Sequence, residues 1–211
     1  MGTFPVVYVD FEATGLYQKA DIVEIGAVSE SGSTFNLFLT TQEKFTTSAA
    51  QVTGMSLDSN NRLLKNGQPL DTVSREEGFE RFYEYLVEAS SGKNKIVLVT
   101  HGGINFDIPL LRANIQRLGQ SMWERFDELV YSFDDTFVFA KRNKFRLRLK
   151  RLGLLNIAQT LLGVPIEGRQ HGALSDALLT KRVAEAMKMN DENMSSRLLK
   201  WDSVRFPRDI L

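Results

Sequence analysis

The stretch Val6-Val7-Tyr8-Val9-Asp10-Phe11-Glu12-Ala13-Thr14-Gly15-Leu16 constrains this chain more than any other: an unbroken run of β-formers leads directly into two carboxylates and then a glycine turn. A run that is apolar at consecutive positions reads as a strand buried on both faces. Side chains alternate along a strand, so Asp10 and Glu12 point to one face, a few ångströms apart, while Phe11 points to the other. Two carboxylates held together at the mouth of an apolar strand repel each other, and burying an unpartnered charge is costly. A bound divalent cation resolves the conflict.

Two later segments supply groups of the same kind. Leu98-Val99-Thr100-His101-Gly102-Gly103-Ile104-Asn105-Phe106-Asp107-Ile108-Pro109-Leu110-Leu111 carries Asp107, and His171-Gly172-Ala173-Leu174-Ser175-Asp176-Ala177 carries His171 and Asp176. At all three segments the sequence resembles the DEDDh exonucleases, a family named for four metal-binding carboxylates and a catalytic histidine. The resemblance runs from about residue 5 to residue 187. It implies Asp10, Glu12, Asp107 and Asp176 as metal ligands and His171 as general base. It also implies contacts to the 3'-terminal nucleotide from the backbone of Ala13, Thr14 and Gly15, from Leu16, and from Met55 and Ser56 in Val52-Thr53-Gly54-Met55-Ser56. The spacing from His101 to Asp107 and the wording of the first motif look most like the animal three-prime repair exonucleases and the related exonuclease-like domain of promyelocytic leukaemia protein. Gly102 stands where the family usually has asparagine, and the proline-rich insertion of the best-known animal repair exonucleases is missing.

Taken singly, each residue has an ordinary explanation. An Asp-x-Glu at a strand end is commonly a solvated edge, Asp107 suits the first turn of a helix through the macrodipole, and a histidine at a helix start is commonly a cap. Together and in this order they make a nuclease site. Hydrolysis of a phosphodiester needs an activated water and stabilisation of the attacking and leaving oxygens, which two divalent cations about 3.5–4 Å apart supply. Hard oxygen ligands suit Mg²⁺ or Mn²⁺, and the absence of cysteine excludes thiolate sites and disulfides. His171 has the near-neutral intrinsic pKa that proton transfer from water requires. Three functions compete: a 3'-to-5' exonuclease acting on single-stranded DNA or frayed 3' ends, an exoribonuclease on the same fold, and a catalytically silent interaction module. The intact set of five residues argues against the last, and DNA is favoured over RNA as partner.

Composition sets outer bounds. The 211 residues suit a single α/β domain spanning 1–211. No run approaches the roughly 18–20 apolar residues of a membrane span, and the first residues show no signal peptide, so a soluble protein of cytoplasm or nucleus is expected. Lysine and arginine together number 26, as do aspartate and glutamate, so affinity for a phosphate backbone must come from a local patch. One exists: residues 141–151 hold Lys141, Arg142, Lys144, Arg146, Arg148, Lys150 and Arg151. If 145–150 is extended, alternation puts Phe145, Leu147 and Leu149 inward and Arg146, Arg148 and Lys150 on one exposed face, where they would bind substrate phosphates.

Strands are expected near 5–11, 22–29, 34–39 and 95–100, with a long loop between the last two punctuated by Gly54, Asn60, Asn61, Gly67 and Pro69. Ser74 and Glu77 have capping-box spacing ahead of a helix over 75–89. Further helices are expected at 108–118, after a cap at Asn156 and up to Gly163, and from Gly172 onward. Three strands in succession followed by alternating helices and a strand fit a mixed sheet flanked by helices, the ribonuclease-H-like arrangement that the resemblance also implies. The tryptophans and phenylalanines are expected in the core, and His101 as a structural residue.

Overall fold

The computed structural model describes residues 4–93, 95–163, 165, 172–190 and 201. Strands β1 (Val6–Ala13), β2 (Ile22–Ser29) and β3 (Thr34–Phe38) form an antiparallel meander. A short helix α1 (Thr47–Thr53) follows, then three small strands β4 (Met55–Leu57), β5 (Leu63–Lys65) and β6 (Gln68–Pro69) that make a separate sheet. Helix α2 (Arg75–Ala89) leads to β7 (Ile96–Thr100), a 3₁₀ turn at 103–105, α3 (Asp107–Arg117), α4 (Gln120–Leu129), β8 (Val130–Asp135), α5 (Thr136–Arg142), α6 (Leu154–Leu162) and α7 (Ala173–Ala186). The main sheet has the order β3-β2-β1-β7-β8, with β1, β7 and β8 parallel. It is the mixed sheet expected from the sequence.

Strand parity sorts the core into two layers. Val7, Val9 and Phe11 pack with α2, α3 and α4 through Phe79, Phe82, Leu86, Leu111, Ile115 and Phe126. Val6 and Tyr8 point the other way and pack with α5, α6 and α7 through Phe139, Ile157 and Val183. The central strands are covered on both sides, which is why β1 and β7 read as continuous apolar runs. No helix among the described residues is long and apolar enough to cross a membrane.

The expected loop between β3 and β7 is instead ordered. Gly54 ends α1 in the left-handed conformation (φ 69°) with its N–H on the Ala50 carbonyl, and Asn66-Gly67, both at positive φ, turn β5 into β6. Asn-Gly is the pair that a tight hairpin of this kind selects. Met55 and Leu63 bury against Val23 and so fasten the small sheet to the large one. Helix α6 starts at Leu154 with Gly153 as N-cap, so Asn156 lies inside it rather than capping it. The start moves because Leu154 and Leu155 pack into the core layer beside α7.

The basic segment corrects a second expectation. Residues 144–149 form turns, not a strand: Leu147 N–H bonds to the Asn143 carbonyl (2.9 Å), Arg148 N–H to Phe145 (3.1 Å) and Leu149 N–H to Lys144 (3.0 Å), and Arg148 sits at φ 54°. The segment's amides are instead satisfied within the turns themselves. Leu147 and Leu149 still pack inward, but Phe145 is 95% exposed instead of buried.

Candidate active site

On β1 the face that carries Val6 and Tyr8 continues as Asp10 and Glu12, so the apolar layer gives way to carboxylates where the strand emerges from under α7. The β1–β2 register sets Gly26 opposite Asp10 and Glu24 opposite Glu12. The N-terminus of α7 lands on Gly26: a Cβ there would lie 2.1 Å from the Ala173 carbonyl carbon and 2.1 Å from the Leu174 nitrogen. This contact lets the first turn of α7, with Asp176, reach the sheet. Carboxylate oxygens of Asp10, Glu12 and Asp176 consequently lie within 4.8 Å of one another.

Asp107 is the first residue of α3 and is buried. It follows a turn whose Gly103 passes so close that a Cβ would meet Asp107 Oδ2 at 2.2 Å. Asp135 holds this turn. Its Oδ1 accepts from Gly102 N (2.8 Å) and Phe137 N (2.8 Å), and its Oδ2 accepts from Ile104 N (3.1 Å). One carboxylate thus caps α5 and clasps the turn that delivers Asp107. Gly102 adopts φ 77° with open space at its Cβ position. Asparagine and glycine are the residues that tolerate this left-handed conformation, which accounts for the exchange at this place. His101 bonds Thr136 Oγ1 (2.8 Å) and the Leu152 carbonyl (3.0 Å), a structural role as expected.

The charges are badly matched. Burial, together with Asp107, Asp176, Glu12 and Glu24, raises the Asp10 pKa well above the carboxylate range. Burial and then Glu24 push Glu12 to about 8, against an opposing pull from Lys65. Burial and Asp135 push Asp107 to about 7. Hard oxygen donors converge here with more negative charge than the chain compensates, which fits a divalent cation. Asp10, Glu12 and Asp176 are the residues that could hold such an ion, with Asp107 beside them.

Two residues of the site escaped the sequence reading. Glu24 accepts from the Ala173 N–H at the start of α7, and Lys65 Nζ stands 3.4 Å from Glu24 Oε2. Glu24 therefore ties β2 to the helix that bears Asp176, while the small sheet supplies a cation. The signal was present: Glu24 is the lone charge in the apolar strand Ile22-Val23-Glu24-Ile25-Gly26-Ala27-Val28. Lys65 had no local signal.

The remaining site candidates scatter. Ala13 and Gly15 are buried. Thr14 is buried too, with its N–H on the Asp21 carbonyl (3.0 Å), its carbonyl accepting from Thr46 N (2.8 Å) and its Oγ1 accepting from Asp21 N (3.0 Å). Its backbone thus holds the turn closed. Leu16, 63% exposed, is what this stretch presents to solvent. Met55 is in the core and Ser56 is exposed. Arg146, Arg148 and Lys150 are exposed on the turns after α5. His171 lies outside the described residues.

The chain matches the family described as Exonuclease (RNase_T) across residues 7–184. No curated protein matches the sequence significantly. Among solved structures, an exonuclease I described with respect to processivity superposes with TM-score 0.68 at 13% identity, covering 90% of this chain and 42% of that one. A moderately thermophilic exonuclease I from Methylocaldum szegediense gives 0.66 at 16% identity, with 90% and 41% covered. E. coli exonuclease I in complex with a dT13 oligonucleotide gives 0.66 at 13% identity, with the same coverage of 90% and 41%. The chain spans about two-fifths of the length of these structures. At such identities the likeness shows the fold, a five-stranded mixed sheet flanked by helices of the ribonuclease-H-like exonuclease type.

Proposed function

Since the chain belongs to the exonuclease family, we propose that it is a metal-dependent 3'-to-5' exonuclease, a single domain that removes nucleoside 5'-monophosphates from single-stranded DNA or frayed DNA 3' ends. The observation that carries this reading is the convergence of Asp10, Glu12 and Asp176 within 4.8 Å, beside a buried Asp107. The complexes of E. coli exonuclease I with dT13 and dA16 oligonucleotides support single-stranded DNA as the substrate class. The first-motif wording and the His101–Asp107 spacing favour, as the subgroup, the animal three-prime repair exonucleases and the related exonuclease-like domain of promyelocytic leukaemia protein.

Asp10, Glu12 and Asp176 would hold Mg²⁺ or Mn²⁺, with Asp107 serving a second ion. The bound ions supply an activated water and neutralise charge on the attacking and leaving oxygens. Burial and the neighbouring carboxylates raise the pKa values of Asp10, Glu12 and Asp107 when no cation is present; a cation favours their ionised forms, so metal affinity rises with pH. His171 takes the water's proton, a role worth about 10²–10⁴ in rate. Leu16 packs against the terminal nucleotide at the rim.

End-labelled DNA and RNA strands, incubated with and without chelator, test the reading. Stepwise loss from the 3' end of DNA, stopped by chelator and restored by Mg²⁺ or Mn²⁺, is expected, with circular strands resistant. Preference for RNA would make the protein an exoribonuclease, and full activity in excess chelator would remove the metal mechanism. His171→Ala is expected to bind metal normally and to lose turnover through kcat.

A further inference from the structure

The carboxylate site uses one end of the sheet and makes no use of the turns after α5, whose Arg146, Arg148 and Lys150 are expected to bind substrate phosphates. There the chain carries seven cations and no acid between Lys141 and Arg151. At the centre stands Phe145, 95% exposed. Lys141 and Arg142 have a sufficient local reason, since cations in the last turn of a helix complement its dipole. The residues after them do not. Leu147 and Leu149 anchor the segment in the core, and the bonds from Leu147, Arg148 and Leu149 back to Asn143, Phe145 and Lys144 close it into a knuckle. Arg148 accepts a left-handed backbone to complete it. Phe145 is thus held out by an ordered backbone.

A groove lined by Gly102, Ile104, Asn105, Phe137, Val138 and Lys141 runs along α5 from the turn that delivers Asp107. Asp135 fastens both walls of this groove. The groove thus links the turn that delivers Asp107 to Lys141 and Arg142 at the end of α5, a few residues before Phe145.

We propose that Phe145 is a stacking platform for an unpaired base upstream of the scissile bond, with Arg146, Arg148 and Lys150 holding the flanking phosphates. The flat exposed ring matches the π-face that every base offers, and the alternation of ring and cations matches the base-and-phosphate repeat of a single strand. The site is sequence-tolerant and salt-dependent. It rests on the nuclease reading and extends it to the substrate that lies outside the active site.

The test uses the full chain and compares wild type with Phe145→Ala, Phe145→Trp and Arg146→Gln/Arg148→Gln. Binding of a labelled thymidine 20-mer is measured by anisotropy across a salt series, and hydrolysis is measured on the same strand and on the p-nitrophenyl ester of thymidine 5'-monophosphate. Phe145→Ala is expected to weaken 20-mer binding about 5- to 100-fold, Phe145→Trp to retain it, and the double variant to flatten the salt slope. The small ester, which does not reach the knuckle, is expected to be cleaved at the wild-type rate by all three. A 20-mer with one abasic position, moved stepwise from the 3' end, should reproduce the loss in wild type at one register and add nothing in Phe145→Ala. Wild-type 20-mer affinity in Phe145→Ala, or an equal loss on the ester, overturns the platform while leaving the nuclease reading standing. A wild-type protein that cleaves neither substrate and binds no strand overturns both.

Discussion

Gly26 and Ala173 meet backbone to backbone, with room for no Cβ between them: one built on Gly26 would lie 2.1 Å from the Ala173 carbonyl carbon. The contact sets how far the first turn of α7, and with it Asp176, descends toward Asp10. Gly26→Ala is therefore expected to lift the helix, cost about 1–3 kcal/mol as overpacking does, and weaken Mn²⁺ binding measured by calorimetry. Gly32, where a Cβ meets nothing within 4 Å but φ is +93°, is the control: its replacement strains a turn away from the site and should lower Tm while leaving metal binding unchanged.

The metal-free protein is expected to lose stability as pH rises. Glu12 moves from an ordinary 4.5 to about 8 and Asp107 from 3.8 to about 7 on folding. The folded state therefore binds more protons than the unfolded one between about 4 and about 8. Stability is fully present below the lower limit and declines as pH passes through the raised values. Thermal melts in chelator should show Tm falling across this window, and saturating Mn²⁺ should remove most of the slope. A pH-independent Tm in chelator would contradict the clustered charge.

Asp10→Asn is expected to abolish cleavage and yet raise the metal-free Tm at pH 8, by a few degrees for a domain of this size. The substitution removes a charge that burial and four neighbouring carboxylates all oppose. Melting in chelator separates this gain from the lost metal stabilisation.

Glu24 and Lys65 are expected to act as a pair. Glu24→Ala leaves the Ala173 N–H without its acceptor and Lys65 without its anion, costing about 1–3 kcal/mol. Lys65→Met leaves Glu24 uncompensated. The double variant should lose less than the sum of the single losses, in Tm and in metal affinity alike. Additive losses would mean that the 3.4 Å ion pair carries no coupling.

Asp135→Ala is expected to cost at least about 2 kcal/mol, since one carboxylate satisfies the amides of Gly102, Ile104 and Phe137. The Asp107 turn loosens, so kcat should fall even well below the melting temperature. Urea melts and steady-state rates at 20 °C check the two effects separately.

Local patterns determined much of this protein. The apolar run into Asp10 and Glu12, the capping pair Ser74 and Glu77, and the glycines that stop helices each act within a few residues, so strands β1–β3 and β7 and helices α2, α3 and α7 were legible in the sequence. Motif order likewise brought Asp10, Glu12, Asp107 and Asp176 together as expected ligands. Contacts between distant segments were decided only by the tertiary structure. Glu24 gains its role by standing opposite Glu12 in the β1–β2 register, Lys65 by an Asn-Gly hairpin that packs through Met55 and Leu63 onto Val23, and Asp135 by lying beside Thr100 across two parallel strands. Alternation over 145–150 promised a strand, but a strand needs a partner edge. Here the backbone bonds to itself instead and Phe145 is left in solvent, because hydrogen bonding of the main chain must be met before the side-chain pattern can be obeyed.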